Sequence, residues 1–127
     1  VSHIVTIKTE LRDIAAIRAA CKRMGWELVE GQKTFKWYSG NGDCDHAIRV
    51  PDANYEIGLV REGHRFAPQW DTWGRGGLQD ITQETGMGGF LAAYAIEKAK
   101  LEARRKGYSV QERKLPSGDV RLEVQVP

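Results

Sequence analysis

With 127 residues, 41% of them hydrophobic and 28% charged, the chain has the composition of one folded domain with its own core, not that of a disordered segment. A formal net charge of +2 leaves any electrostatic preference to a local patch. Two cysteines, Cys21 and Cys44, are too few for a disulfide-rich secreted scaffold, and no run reaches the roughly 18 apolar residues of a membrane span.

The opening His3 to Lys8 is rich in β-branched residues. His3, Val5 and Ile7 fall on one face and Ile4 and Thr6 on the other, which predicts a central strand covered on both sides. This opening carries no charged stretch leading into an apolar signal segment, so a cytoplasmic, reducing location is expected. Asp13 is placed as an N-cap. After it Ile14, Ile17, Cys21 and Met24 recur at helical spacing until Gly25, which predicts an amphipathic helix.

Trp26 to Val29 and Thr34 to Tyr38 read as short strands around Gly31, and the turn-rich SGNGDCD that follows reads as an exposed loop. Ala47 to Val50 is a further short strand ended by Pro51. Tyr55 to Arg61 and Arg65 to Trp70 form a predicted hairpin across Glu62, Gly63 and His64. The glycine-rich DTWGRGGLQDITQETGMGG has little periodicity and is expected to be a loop.

Phe90 to Lys106 is the clearest helix. Phe90, Leu91, Tyr94, Lys98 and Leu101 share one face, Lys98 can carry its ammonium out of that face, and Gly107 ends the run. Val120, Leu122, Val124 and Val126 alternate with Arg121, Glu123 and Gln125 after the turn Pro116 to Asp119, so the last twenty residues predict a hairpin. Its apolar face is expected on the same core as Phe90, Leu91 and Tyr94. This order of elements predicts an α+β fold, a largely antiparallel sheet with two helices packed on one face, as a single domain over 1–127.

Four stretches resemble one family: SHIVTIKTELRD, GDCDHAIRVPDANYEIGLV, WDTWGRGGL and FLAAYAIEKAKLEARRKGYSVQE. Across nearly the whole chain they are similar to domain-of-unknown-function family 1257, whose plastid-encoded members are known as hypothetical chloroplast reading frame 35 proteins. The resemblance implies a bacterial or plastid-type origin, and it brings no reaction and no catalytic residue. The association of such genes with AAA-type ATPases implies an ATPase of that type as a partner.

Asp43, Cys44, Asp45 and His46 form the densest polar run and could offer thiolate, carboxylate and imidazole to a metal. Consecutive residues on a strand alternate sides, however, and no CxxC or HxxxH spacing supplies a second ligand pair, so a capped turn is the expected reading. A Cys44 nucleophile beside His46 or His64 would need a lowered thiol pKa, which Asp43 and Asp45 oppose. No catalytic set and no cofactor motif is found; GRGG lacks the Lys and Ser/Thr of a phosphate loop.

Trp70, Trp73 and Arg75 beside three glycines have the composition of an interaction surface, against the alternative that both indoles simply pack on the sheet as core aromatics. The segment Glu97 to Lys106 sets five cations against two carboxylates, which adds Arg104 and Arg105 as binding candidates, although cations near a helix C-terminus also stabilise the helix itself. The expected function is a non-enzymatic module that binds a protein partner or associates with itself. A metal-binding protein or small enzyme centred on Asp43 to His46 is the alternative, and an RNA-binding accessory protein the second.

Overall fold

The structure, a computed structural model, describes residues 4–6, 11–78 and 87–127. The elements in chain order are β1 (Ile4–Thr6), α1 (Ile14–Met24), β2 (Glu27–Glu30), β3 (Thr34–Trp37), β4 (Gly40–Asp43), β5 (His46–Arg49), β6 (Glu56–Glu62), β7 (Arg65–Asp71), a 3-10 turn (Gly74–Gly76), α2 (Gly89–Arg105), β8 (Ser109–Lys114) and β9 (Val120–Gln125). The main sheet runs β1-β7-β6-β5-β2, every pair antiparallel, and β3-β4 and β8-β9 are separate two-stranded sheets. The α+β class read from the sequence is therefore the observed one.

Strand alternation decides what each face of the main sheet buries. Ile48, Ile57, Leu59, Phe66 and Trp70 point to one side, where they meet Ile17 and Cys21 of α1 and Phe90 and Tyr94 of α2 in the larger core. Ala47, Gly58, Val60 and Ala67 point to the other side, under the β3-β4 hairpin. Phe35 lies across the bare backbone of Gly58, so that residue has no room for a Cβ. The segment SGNGDCD thus supplies β4, a strand and not the expected loop, because its small residues let Phe35 and Trp37 of β3 reach the sheet.

Asp13 caps α1, its Oδ1 accepting from the N–H groups of Ala15 (3.0 Å) and Ala16 (3.4 Å). The helix ends at Gly25 (φ 75°), with Trp26 N–H bonded to Cys21 O at 2.8 Å, a left-handed cap. Asp13 also reaches the second helix: its Oδ2 lies 2.7 Å from Arg105 and 3.2 Å from Lys98. Tyr94 Oη accepts the N–H groups of Arg12 and Asp13. Arg105 first, then Lys98 and the helix amides, hold the Asp13 carboxyl far below its ordinary range against the opposing effect of burial.

Two expectations are corrected. Among the described residues the first strand stands at the edge of the main sheet beside β7, not in its centre, and His3, Ile7 and Lys8 lie outside the described residues. The β8-β9 hairpin forms where predicted but does not share the core of Phe90: Val124 is 47% and Val126 66% exposed, and Val120 and Leu122 are only half-buried. It lies beside the helices and is tied down by Glu112, which takes a bidentate pair from Arg23 (2.7 and 2.8 Å) and sits 3.5 Å from Lys100.

Candidate functional site

Strand β7 ends on Asp71, a fully buried carboxylate. Its Oδ1 accepts the N–H of Trp73 (2.9 Å) and its Oδ2 the N–H of Tyr38 (3.2 Å), so one side chain turns the chain outward after β7 and fixes the end of β3 beside it. The turn that follows is docked on the loop before β6. Gly76 O accepts from Asn54 N–H (2.9 Å) and Tyr55 N–H (3.0 Å), and Arg75 O accepts from Asn54 Nδ2 (3.0 Å). The Tyr55 ring presses on Gly76 where any Cβ would sit, and Gly77 adopts φ 81° against Ala53. Gly76 and Gly77 thus serve close backbone packing, whereas Gly74 borders open space, and residues 79–86 of the stretch expected as a loop lie outside the described residues.

The result is a fixed aromatic surface. Trp73 meets Tyr38 edge-on (4.8 Å between ring centroids, 86°) and lies nearly parallel to Tyr55 (6.4 Å, 23°), while the Arg75 guanidinium sits over the Trp73 ring at 5.5 Å. Tyr38 is 49% exposed, Arg75 is exposed and Trp73 is half-buried. Trp70 is not part of this surface: as an inward position of β7 it is fully enclosed in the helix-side core, which corrects its place among the binding candidates. Its indole N–H, like that of Trp37, is buried without a hydrogen-bond partner among the described residues.

From Tyr55 a cleft of about 500 Å³ runs between the β3-β4 hairpin and the main sheet, past Gln32, Lys36, Asn41, Arg49 and Glu56. Glu56 is its anchor, accepting from Gln32 Nε2 (3.0 Å), Lys36 N–H (3.0 Å) and Arg49 Nε (3.2 Å). Burial opposes its charge, but these donors more than offset that and keep the carboxyl below its ordinary range. Arg49 is spent on Glu56 and Gln32, whereas Lys36 is exposed at the cleft wall.

The Asp43 to His46 run does not converge. Cys44 is buried with Phe35 and Ala47 and its thiol donates to Gln32 O (3.2 Å). Burial first, then the charges of Asp45 and Glu56, push that thiol up to about 11, the opposite of an activated nucleophile. Asp45 accepts Arg61 N–H at 2.7 Å. His46 Nδ1 accepts Gly31 N–H at 2.9 Å, and its ring contacts Phe66 on the other side of the sheet. Among the described residues no three His, Cys, Asp or Glu side chains are grouped to hold a metal.

Ion pairing also thins the basic end of α2. Arg105 pairs with Asp13 and Glu102, Lys98 with the same two, and Lys100 with Glu97 and Glu112, which leaves Arg104 and Lys106 facing solvent. Among the described residues no helix is long and apolar enough to cross a membrane.

Sequence reasoning reached Trp73 and Arg75 but missed Tyr38, Tyr55 and the cleft. Tyr38 and Tyr55 are separated from Trp73 in sequence, and only the Asp71 and Gly76 contacts bring them together. Models of known families, curated proteins and solved structures give no match to the chain.

Proposed function

We propose that this protein is a non-catalytic binding module that takes an extended segment of a protein partner across Trp73, Arg75 and Tyr38 and into the adjoining cleft. The observation that carries this reading is an exposed aromatic and arginine surface whose parts are tied down by hydrogen bonds and close backbone packing. Asp71, Gly76 and Tyr55 hold its parts in place before binding, which lowers the ordering cost of association. The cleft supplies polar walls that an extended backbone can bond, and Lys36 and Arg75 favour a segment bearing carboxylates. The family resemblance drawn from the sequence supports an AAA-type ATPase as the source of that segment, in a bacterial or plastid cytoplasm.

Selection of peptides on the immobilised protein, followed by titration of each binder, tests this. Arg75→Ala and Tyr38→Ala are expected to weaken selected peptides by about tenfold or more while leaving the melting temperature nearly unchanged, the signature of an interface residue. Binders indifferent to both substitutions would remove the site.

A further inference from the structure

The β8-β9 hairpin presents an edge that matches itself. Its turn defines which backbone groups are free: Gly118 N–H bonds to Leu115 O (2.9 Å), Leu115 N–H to Asp119 O (2.8 Å), and Gly118 has φ 91°. That three-residue connection makes Leu115 and Asp119 a hydrogen-bonded pair. Bonded and non-bonded pairs alternate in an antiparallel ladder, and the register pairs Arg113 with Arg121 and Gln111 with Glu123. Those pairs are the bonded ones, and Val120, Leu122 and Val124 therefore direct their N–H and C=O groups to the outer edge of β9. Among the described residues no strand pairs with that edge.

The side chains are also incomplete as they stand. Two strands alone make a marginal sheet, and here the apolar row ends in Val124, 47% exposed. On the polar face Arg121 stands opposite Arg113, and Arg113 spends its guanidinium on Glu123 at 2.9 Å. Arg121 has no carboxylate of its own among the described residues, and like charges directly opposite each other destabilise a ladder.

We propose that β9 pairs antiparallel with β9 of a second copy of this chain about a two-fold axis at Leu122, joining two hairpins into a four-stranded sheet. In this register Val120 faces Val124 of the second copy, Leu122 faces Leu122, and Arg121 faces Glu123, all reciprocally. Shifting by one residue would set the apolar face of one copy against the polar face of the other. Moving the axis to Arg121 or to Glu123 sets two like charges against each other. An axis at Val120 or Val124 would pair fewer strand residues, so the Leu122 axis is the one that uses the whole of β9 with charge and face both matched, and an isologous contact of this kind closes as a dimer. The corresponding pairing of β8 about Glu112 would set two Glu112 carboxylates directly opposite each other.

Sedimentation equilibrium of the full chain, run up to about 200 μM, tests the proposal through Arg121→Glu, which acts in opposite directions on the two levels. Within one chain the substitution sets a carboxylate opposite Arg113, which leaves the fold at least as stable. Between chains it sets that carboxylate against Glu123 of the second copy. The wild type is expected to dimerise, Arg121→Glu to weaken the dimer about tenfold or more, and Arg121→Glu with Glu123→Arg to restore most of it. Leu122→Cys is expected to give a disulfide-linked dimer on oxidation, because paired Cα atoms about 5.5 Å apart lie within disulfide range. Arg75→Ala is expected to leave self-association unchanged, which separates this interface from the aromatic surface. A wild type that stays monomeric, or a dimer unaffected by Arg121→Glu, would overturn the proposal.

Discussion

Replacing Asp13 removes two kinds of interaction that Ala and Asn separate. Its Oδ1 caps α1, a contribution of about 1 kcal/mol, and Asn retains a carbonyl oxygen for that bond whereas Ala does not. Its Oδ2 pairs with Arg105 and Lys98, whose side chains are 51% and 34% exposed, so solvent screening reduces the ionic part for this largely enclosed carboxylate to about 1 kcal/mol. Asp13→Asn should therefore cost about 1 kcal/mol and Asp13→Ala about 2. In a domain of this size that lowers the melting temperature by about 3–5 °C per kcal/mol. Because the folded carboxyl sits well below its unfolded value, the ionic part is fully present above about pH 4 and disappears as the solution is acidified through the folded pKa. Thermal denaturation followed by circular dichroism from pH 7 down to strongly acidic buffer reads both effects. An Asn variant as stable as the wild type at pH 7, or a gap between them that widens with acid, would refute the assignment.

Arg23→Ala should release the β8-β9 hairpin, raising amide exchange over 109–125 with little change in the main sheet. Arg23 chiefly holds the Glu112 carboxyl down at about 2, so the same protection in the wild type should persist above about pH 4 and fade as pH falls toward that value. Gly76→Ala should displace the Tyr55 ring, costing about 1–3 kcal/mol and shifting tryptophan fluorescence through Trp73; an unchanged melt and spectrum would argue against the packing described. Burial pushes Cys21 up to about 12 and, with nearby carboxylates, Cys44 to about 11, so neither thiol should label at pH 8 until the protein is unfolded. A fast-reacting native thiol would contradict both.

Local pattern was enough wherever local pattern decides structure. Asp13 with the spacing of Ile17 and Cys21, Gly25 at φ 75°, and the Gly63-His64 turn all predict what forms. What could not be read is which face meets which. The hairpin Val120 to Val126 alternates as cleanly as a core strand, yet periodicity reports only that a face is apolar, and ion pairs at Glu112 place this one beside the helices. Trp70 and Trp73 are three residues apart with similar neighbours, but one lies on the inward side of a strand and the other follows its end. In SGNGDCD the smallness that signals a loop instead provides clearance for Phe35. The basic run of α2 loses most of its free charge to carboxylates distant in sequence, Asp13 foremost.

The double use of Asp13 also bears on how the chain is made. The carboxylate that opens α1 finds its cationic partners 85 and 92 residues later, at Lys98 and Arg105. At a synthesis rate of about 5–20 residues per second, roughly 5–20 s pass before the second of them leaves the ribosome. For that interval the first helix has its cap and can meet the strand residues Ile48, Ile57 and Leu59, but it lacks the tyrosine hydroxyl and the apolar side of α2. The larger core is therefore completed only when α2 arrives.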